Sequence, residues 1–384
     1  MFFLLGVGCV PGIGVANVCF VLALACAIAW RLAARGRGED LLGPFRRTTP
    51  LHAPIGAFVL FSVLSCFFST LPSRSFVQVK GFGTFLLVVF VAALLDDEAD
   101  VRLFVDAWRI TALYLVLRGF VEWISGTPSL DFRISGGLSV YMTYAGLLLV
   151  LVPLLGARGV SGGARGDRWA DVAIALGGAL ATALTLTRGA YVGLAVGLLA
   201  VLLAARPRLA FVAPLVVALF FVLMPLAVRD RLVSVTNPQD VTMNDRVAMW
   251  KAGGAMIADR PLFGVGPGRV KILYDVYRQR GWVDPHPGHL HNNIVMIAAE
   301  TGIPSAVAYL AFVGAFFVGA VRIVRRTARG EAARGIALGA IGAMAALFAA
   351  GMFEYNFGDV EVLMATLVVA TLPFAAARVG RPAD

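Results

Sequence analysis

Charge is scarce in this sequence. Only 15% of its 384 residues are Asp, Glu, Lys or Arg, against about 25% in average soluble domains. That shortage excludes an ordinary soluble globule. Apolar residues make up 59% of the chain, and its mean hydropathy is +0.83. Cysteine is sparse as well: Cys9, Cys19, Cys26 and Cys66 all lie in apolar runs with no paired spacing. They read as small buried hydrophobes, so neither a disulfide framework nor a thiolate metal site is expected. No internal repeat is obvious, and no soluble domain of ordinary size is visible. The N-terminal run has no basic leading region and stays apolar to Trp30, so it does not read as a cleaved signal peptide.

What the chain has instead is apolar segments, at about 2–31, 51–70, 77–95, 101–123, 138–156, 169–187, 189–205, 209–228, 303–324, 333–352 and 361–378. A run of about 18 apolar residues or more crosses a hydrocarbon core of about 30 Å. The expected fold is an all-α polytopic membrane bundle of about eleven or twelve helices. The first run is interrupted by "PGIG" at 11–14 and is either one tilted helix or a half-helix followed by a full span.

The net charge of +10 would point to nucleic acid in a soluble protein. Here it sits in short connections, "RLAARGRGEDLLGPFRR" (31–47), "GARGVSGGARGDRW" (156–169), "ARPR" (205–208) and "RIVRRTARGEAARG" (322–335). The positive-inside rule puts these in the cytoplasm and makes nucleic acid an unneeded partner. The acidic connection 96–102 shares their side by alternation. The other connections then face outward, including one long segment, 229–302. The expected division is therefore membrane helices over 1–228, an outward loop with short amphipathic helices over 229–302, and membrane helices over 303–384. A loop of that length in a compact protein is usually functional or disordered, and its aromatic and aliphatic content argues against disorder.

The chemistry-bearing residues gather around this outward side. Arg188 lies between two apolar spans joined by almost no loop, on the side where positive charge is not expected. It is either a snorkelling side chain or, the favoured reading, an anion ligand facing a cavity. Arg246 falls in the first turn of a helix expected to begin at an Asn244 N-cap, where free N–H groups favour a phosphate. Arg133 is a weaker candidate, paired with Asp131 in the plain reading. "GVGPG" (264–268) reads as a turn, because no strand precedes it and Pro267 removes a donor. Glu300 either orients a histidine or caps local structure.

Three of the four histidines stand in "HPGHLHNN" (286–293). Asp284, His286, His289 and His291 have zinc-ligand residue types, but their spacing matches no usual metal signature. A histidine near a helix start, with arginines close by, suits general base catalysis. His291 is the expected base because it continues into an ordered apolar helix, and His289 is the second candidate. No metal is expected.

In order along the chain, "LTLTRGAYVGL", "DRVAMWKAGGAMIADRPLFGVGPGRV" and "HLHNNIVMIAAETGIPSAVAYL" resemble the superfamily of O-antigen ligases and O-antigen polymerases. The similarity covers about 185–310. It implies an inverting, metal-independent membrane glycosyltransferase without a cofactor, in the bacterial inner membrane with its site on the periplasmic face. The implied donor is a glycan on undecaprenyl diphosphate, and the acceptor is lipid A–core for a ligase or a growing glycan for a polymerase. Carried over by residue, His291 is the base, and Arg188 and Arg246 hold the diphosphate. Ligation is the leading expectation and repeat-unit polymerisation the alternative; a protein O-oligosaccharyltransferase is a more distant relative. A multispanning transporter or flippase, from a different class, predicts charges near the bilayer midplane and broken helices in paired repeats. The polar candidates sit instead at one boundary, which favours an enzyme.

Overall fold

The computed structural model describes residues 43–126, 133–161, 165–208, 241–278 and 287–379. The apolar runs expected at 2–31 and 209–228, together with Asp131, Asp284 and His286, lie outside the described residues. The described chain folds into α1 (His52–Phe67), α2 (Pro72–Phe76), α3 (Leu87–Leu94), α4 (Glu98–Ser125), α5 (Tyr141–Ser161), α6 (Arg165–Leu184), α7 (Arg188–Ala205), α8 (Val241–Asp259), α9 (Val270–Tyr277), α10 (Asn293–Arg326), α11 (Ala332–Ala350) and α12 (Val360–Val379), with no strand among the described residues. A 3-10 stretch, Val77–Leu86, joins α2 to α3 into one apolar rod.

Six of these rods are long and apolar enough to cross a membrane: Pro72–Leu94, α5, α7, α10, α11 and α12. The protein is a polytopic all-α membrane protein. Its centre is α5, α11 and α12, whose side chains are mostly buried, whereas α1, α4, α6 and α10 turn apolar side chains such as Leu60, Ile110, Leu176 and Val318 outward. A soluble bundle would not leave so much large apolar surface in water; facing lipid, it needs no cover.

In lipid, helices associate by close packing, and small residues at the seam allow it. Gly189, Gly193 and Gly197 recur every fourth residue on α7 and meet Ala350, Ala346 and Gly342 of α11 in reverse order. The two helices are therefore antiparallel. A Cβ on Gly193 would stand 2.7 Å from the Ala346 carbonyl, and one on Gly197 2.6 Å from the Gly342 carbonyl. One turn before Gly342 on the same stripe of α11, Gly339 lies so close to Leu154 of α5 that a Cβ would stand 2.6 Å from its Cα.

The chain path carries the arginine-rich connections 156–169, 205–208 and 322–335 to one end of the bundle, as the sequence pattern requires. Charges that enter the bundle there are paired. Arg109 of α4 donates to Asp171 of α6 at 2.7 Å, and Arg158 of α5 lies 3.3 Å from the same carboxylate, whose side chain is only 3% exposed. A buried charge without such partners would be strongly destabilising. The acidic connection 96–102 also lies at this end: Arg378 at the end of α12 donates to the Leu95 carbonyl at 2.7 Å. Asp97 N-caps α4, accepting from Asp100 N at 2.8 Å, and Asp96 pairs with Arg47. The acidic residues thus serve a helix start and an arginine. The opposite end holds the starts of α7, α10 and α12 and the end of α11, and the site forms there.

Candidate functional site

The described segment 241–278 is anchored by a break in α10. Gly302 has φ +86°, and Ile303 N donates to the Pro261 carbonyl at 2.8 Å instead of continuing the helix. The break leaves carbonyls without intrahelical donors. Val265 N and Gly266 N supply them, donating to the Ala299 and Glu300 carbonyls at 2.9 and 2.8 Å. Gly264, Gly266 and Gly268 all have positive φ, so "GVGPG" is a turn, as expected. Ser65 of α1 donates to the Phe263 carbonyl at 2.5 Å and clamps the joint from the other side. "PLFGVGPG" and "ETGIP" are therefore two halves of one joint. Met249, Ala252, Met256, Val265, Val270, Tyr274, Leu290, Met296 and Ala299 pack into a separate small core above it. That core joins α8, α9 and the start of α10.

The histidines precede α10 rather than riding on it. Asn292 is the N-cap, its side chain accepting from Val295 N at 3.0 Å. His291 stands just before it with φ +48°, a conformation that histidine visits more readily than most residues. The two asparagines then stitch this segment to the 351–359 turn, "GMFEYNFGD". Asn292 Nδ2 donates to the Met352 carbonyl at 3.0 Å, Asn293 Nδ2 to Asn356 Oδ1 at 2.7 Å, and Asn293 Oδ1 accepts from Phe357 N at 3.1 Å. Asn293 N also donates to the Gly351 carbonyl at 2.7 Å.

This stitching presents Glu354 to both histidines. His291 Nδ1–H donates to its carboxylate, 3.1 Å from Oε2 and 3.0 Å from Oε1, and His289 Nε2 lies 3.4 Å from Oε1. The His291 N–H points at Nδ1 of His289 across 3.3 Å, which makes that nitrogen an acceptor. The neutral His289 proton is then on Nε2, facing Glu354. Burial pushes His289 below the ordinary imidazole value of 6.5; His291 and Arg246 reinforce this, while Glu354 and Asp359 oppose it. Burial alone would raise the Glu354 carboxyl. The His291 hydrogen bond and the two imidazoles outweigh it and hold the carboxyl below its usual range. His291 Nε2 makes no hydrogen bond among the described residues, and its side chain is 21% exposed. A base needs that access.

The arginines arrive from two other helices. The glycine stripe sets α7 against α11, so that a Cβ on Gly189 would lie 3.7 Å from Phe353 Cβ. Arg188, one residue earlier, is thereby fixed beside the 351–359 turn, and it is buried with 7% exposure. A side chain snorkelling to water would be exposed, so the burial argues against that reading. The tight turn before it is bolted by Tyr191 Oη, which donates to the Ala183 carbonyl at 2.7 Å. Arg246 reaches the site on α8. One turn further on, Trp250 packs its ring 6.4 Å from that of Phe353, so residues four apart on one face dock at the same turn. Because α8 begins at Val241, Asn244 is not its N-cap and Arg246 is in its second turn. The argument from free N–H groups at the helix start therefore does not apply to Arg246.

Two candidates have other partners. Glu300 accepts from Gly268 N at 2.8 Å and so caps the joint; it makes no described hydrogen bond to a histidine. Arg133 lies over the Tyr141 ring at 4.4 Å. Glu354 was missed at the sequence level. Its signal was an acid, one of two with Asp359, in a short connection at the same end of the bundle as the histidines.

His289, His291 and Glu354 offer donor atoms within 4.8 Å of one another, a set of types and spacing that can hold a metal ion. The hydrogen bond onto His289 Nδ1 works against this. A neutral imidazole bound through Nε2 carries its proton on Nδ1, where it would face the His291 N–H.

The fold and the site define a polytopic membrane protein in which four helix ends converge on a histidine–carboxylate cluster, with Arg188 and Arg246 on helices that dock at the same turn. Residues 173–310 match the family model described as O-Antigen ligase, and this match supports the O-antigen ligase superfamily and a ligase/polymerase-type membrane enzyme. It includes Arg188, Arg246, His289 and His291 and stops short of Glu354. No curated protein matches the chain.

Proposed function

We propose that the protein is an inverting glycosyltransferase that moves a glycan from undecaprenyl diphosphate to an acceptor hydroxyl, with lipid A–core as the acceptor. The observation that carries this reading is the convergence of His291 with two arginines on the 351–359 turn. In the proposed step, the acceptor O–H gives its proton to His291 Nε2 as its oxygen attacks the anomeric carbon. The new O–C bond forms on the face opposite the leaving group, which inverts that centre. The C–O bond to phosphate breaks, and its electron pair leaves on the diphosphate. Arg188 and Arg246 match phosphate oxygens as planar forks and neutralise the charge that develops. A diphosphate leaving group needs that electrostatic help more than it needs an acid. No metal enters this scheme, and the His289 tautomer supports leaving it out. The bacterial inner membrane, with this end of the bundle toward the periplasm, fits the arginine-rich connections at the other end.

The test uses the full chain in vesicles with a lipid-linked glycan donor. His291→Ala should lower transfer by at least about 100-fold, the lower bound for losing a general base, while the protein stays folded in the membrane. Wild-type turnover in that variant would end the base assignment. Arg188→Lys keeps the charge and loses the fork, and should weaken donor use. In cells lacking the gene, long polymer should remain on the carrier lipid with none on lipid A–core. Single repeats transferred to the core would instead make the chain a polymerase.

A further inference from the structure

We propose that Glu354 is the positioning residue of this site, fixing the ring orientation and tautomer of His291 so that Nε2 is the basic nitrogen presented to the acceptor. The inference rests on the glycosyl-transfer reading. It adds a residue that lies outside the matched segment 173–310 and is carried by a different connection of the bundle.

The geometry supports it in three ways. First, His291 Nδ1 faces both carboxylate oxygens at 3.0 and 3.1 Å, so the neutral ring carries its proton on Nδ1 and its lone pair on Nε2. Second, the carboxylate is itself held. Tyr355 N donates to its Oε1 at 3.1 Å, and its side chain is only 15% exposed. The turn bearing it is fixed to the start of α10 by the Asn292 and Asn293 hydrogen bonds. Third, His289 occupies the remaining approach, with its ring centroid 4.2 Å from that of His291. Its Nε2 faces Glu354 and its Nδ1 accepts from the His291 backbone, so its nitrogens are directed at these two neighbours. His289 is thus a second anchor for the carboxylate. When His291 takes the acceptor proton, the resulting imidazolium lies against a carboxylate, and the pair has no net charge.

Partners of this kind typically cost 10–100-fold in function when removed, by analogy with outer partners of metal-ligating histidines. The experiment compares Glu354→Gln, Glu354→Asp, His289→Gln and His291→Ala in vesicles with the same lipid-linked donor, reading kcat and donor KM separately. Glu354→Gln should lower kcat by about 10–100-fold with donor KM unchanged, and Glu354→Asp, which keeps the carboxylate, should recover part of that loss. His289→Gln should cost less than Glu354→Gln. Wild-type kcat in Glu354→Gln beside an inactive His291→Ala would overturn the role of Glu354 and leave the base in place. Wild-type turnover in His291→Ala would overturn the base reading itself. A loss in Glu354→Gln that comes with weaker donor binding and an earlier thermal transition would make Glu354 structural. One zinc per wild-type chain, absent from Glu354→Gln, would make the cluster a metal site and overturn the proposal.

Discussion

The stripe on α7 makes a prediction that separates packing from chemistry. Gly197 lies nine residues along the helix from Arg188, about 13 Å at 1.5 Å per residue, and touches no candidate catalytic group. A Cβ there would stand 2.6 Å from the Gly342 carbonyl and 2.9 Å from Ala346 Cβ. At Gly193 the corresponding distances are 2.7 Å to the Ala346 carbonyl, 3.0 Å to Leu149 Cδ1 and 3.1 Å to Ala350 Cβ. The closest obstacles are backbone carbonyls, so the helices themselves must part, by roughly 0.5–1 Å to restore ordinary contact. Overpacking of this size costs about 1–3 kcal/mol, offset by about 1 kcal/mol from replacing a helical glycine with alanine. Gly193→Ala and Gly197→Ala should therefore lose stability by about 0–2 kcal/mol. They should lose donor turnover by considerably more, because displacement of about 1 Å at a charge-stabilising group can cost about 100-fold. Gly189→Ala is the internal control. It is closest to Arg188, but its Cβ would meet Phe353 Cβ at 3.7 Å and the Ala350 carbonyl at 3.8 Å, ordinary contacts. It should keep wild-type turnover and gain slightly in stability. The assay is transfer from a lipid-linked donor by the reconstituted variants, with thermal unfolding followed in parallel. Full activity in Gly193→Ala and Gly197→Ala, or Gly189→Ala as the worst of the three, would refute the argument that this seam places Arg188.

Four further outcomes are expected. Stability should fall as pH drops below about 6.5, because the unfolded chain takes up a proton that buried His289 resists in the fold. His289 faces Glu354, His291, Arg246 and Asp359. One such group gives a slope of at most about 1.4 kcal/mol per pH unit, and His289→Gln should flatten it in thermal melts. A second loss should follow below about pH 4.5, because the depressed Glu354 carboxyl stabilises the fold only while ionised; Glu354→Gln showing the same acid limb would contradict this. Gly302→Ala should destabilise by more than about 2 kcal/mol, since it combines a positive φ with a direct clash: the Cβ would stand 2.1 Å from the Leu262 carbonyl. Near-wild-type melting would show that the joint can relax. Chelator treatment should leave transfer unchanged, and activity restored only by zinc would favour a metal held by His289, His291 and Glu354.

What was legible in the sequence follows from the energetic cost of each choice. Apolar runs had to be continuous because an unsatisfied backbone group in lipid costs several kcal/mol, so the spans at 138–156, 189–205, 333–352 and 361–378 lie within a few residues of α5, α7, α11 and α12. Arginine connections had to fall on one side, and among the described residues they do. Local structure was harder because its causes are distant. "TGIP" marked the break in α10, but only the Pro261, Ala299 and Glu300 hydrogen bonds show that "PLFGVGPG" completes it. Helix α9, eight residues long, was too short to leave a hydropathy signal and was not anticipated. Asn244 looked like a cap because asparagine favours that position, yet the chain was already helical at Val241.

The site itself divides along the same line. His291, Arg188 and Arg246 were visible because each is costly or rare where it stands: a charge at a membrane boundary, or three of four histidines in eight residues. Glu354 was not, since an acid in a short turn gains its meaning only from partners 63 residues earlier in the chain. The glycine stripe was readable as a repeat of four, the spacing that lets membrane helices approach, but its consequence was not. Only the antiparallel seam with α11 shows that Gly197 and Gly193 set where Arg188 lies relative to Phe353 and its neighbour Glu354. One turn of nine residues therefore receives the proposed base from the segment that precedes α10, one arginine through α7, the other through α8 and the carboxylate from its own residues. A site assembled in this way is sensitive to helix spacing far from its chemistry, which is why the seam, rather than the histidine, gives the sharper test of the architecture.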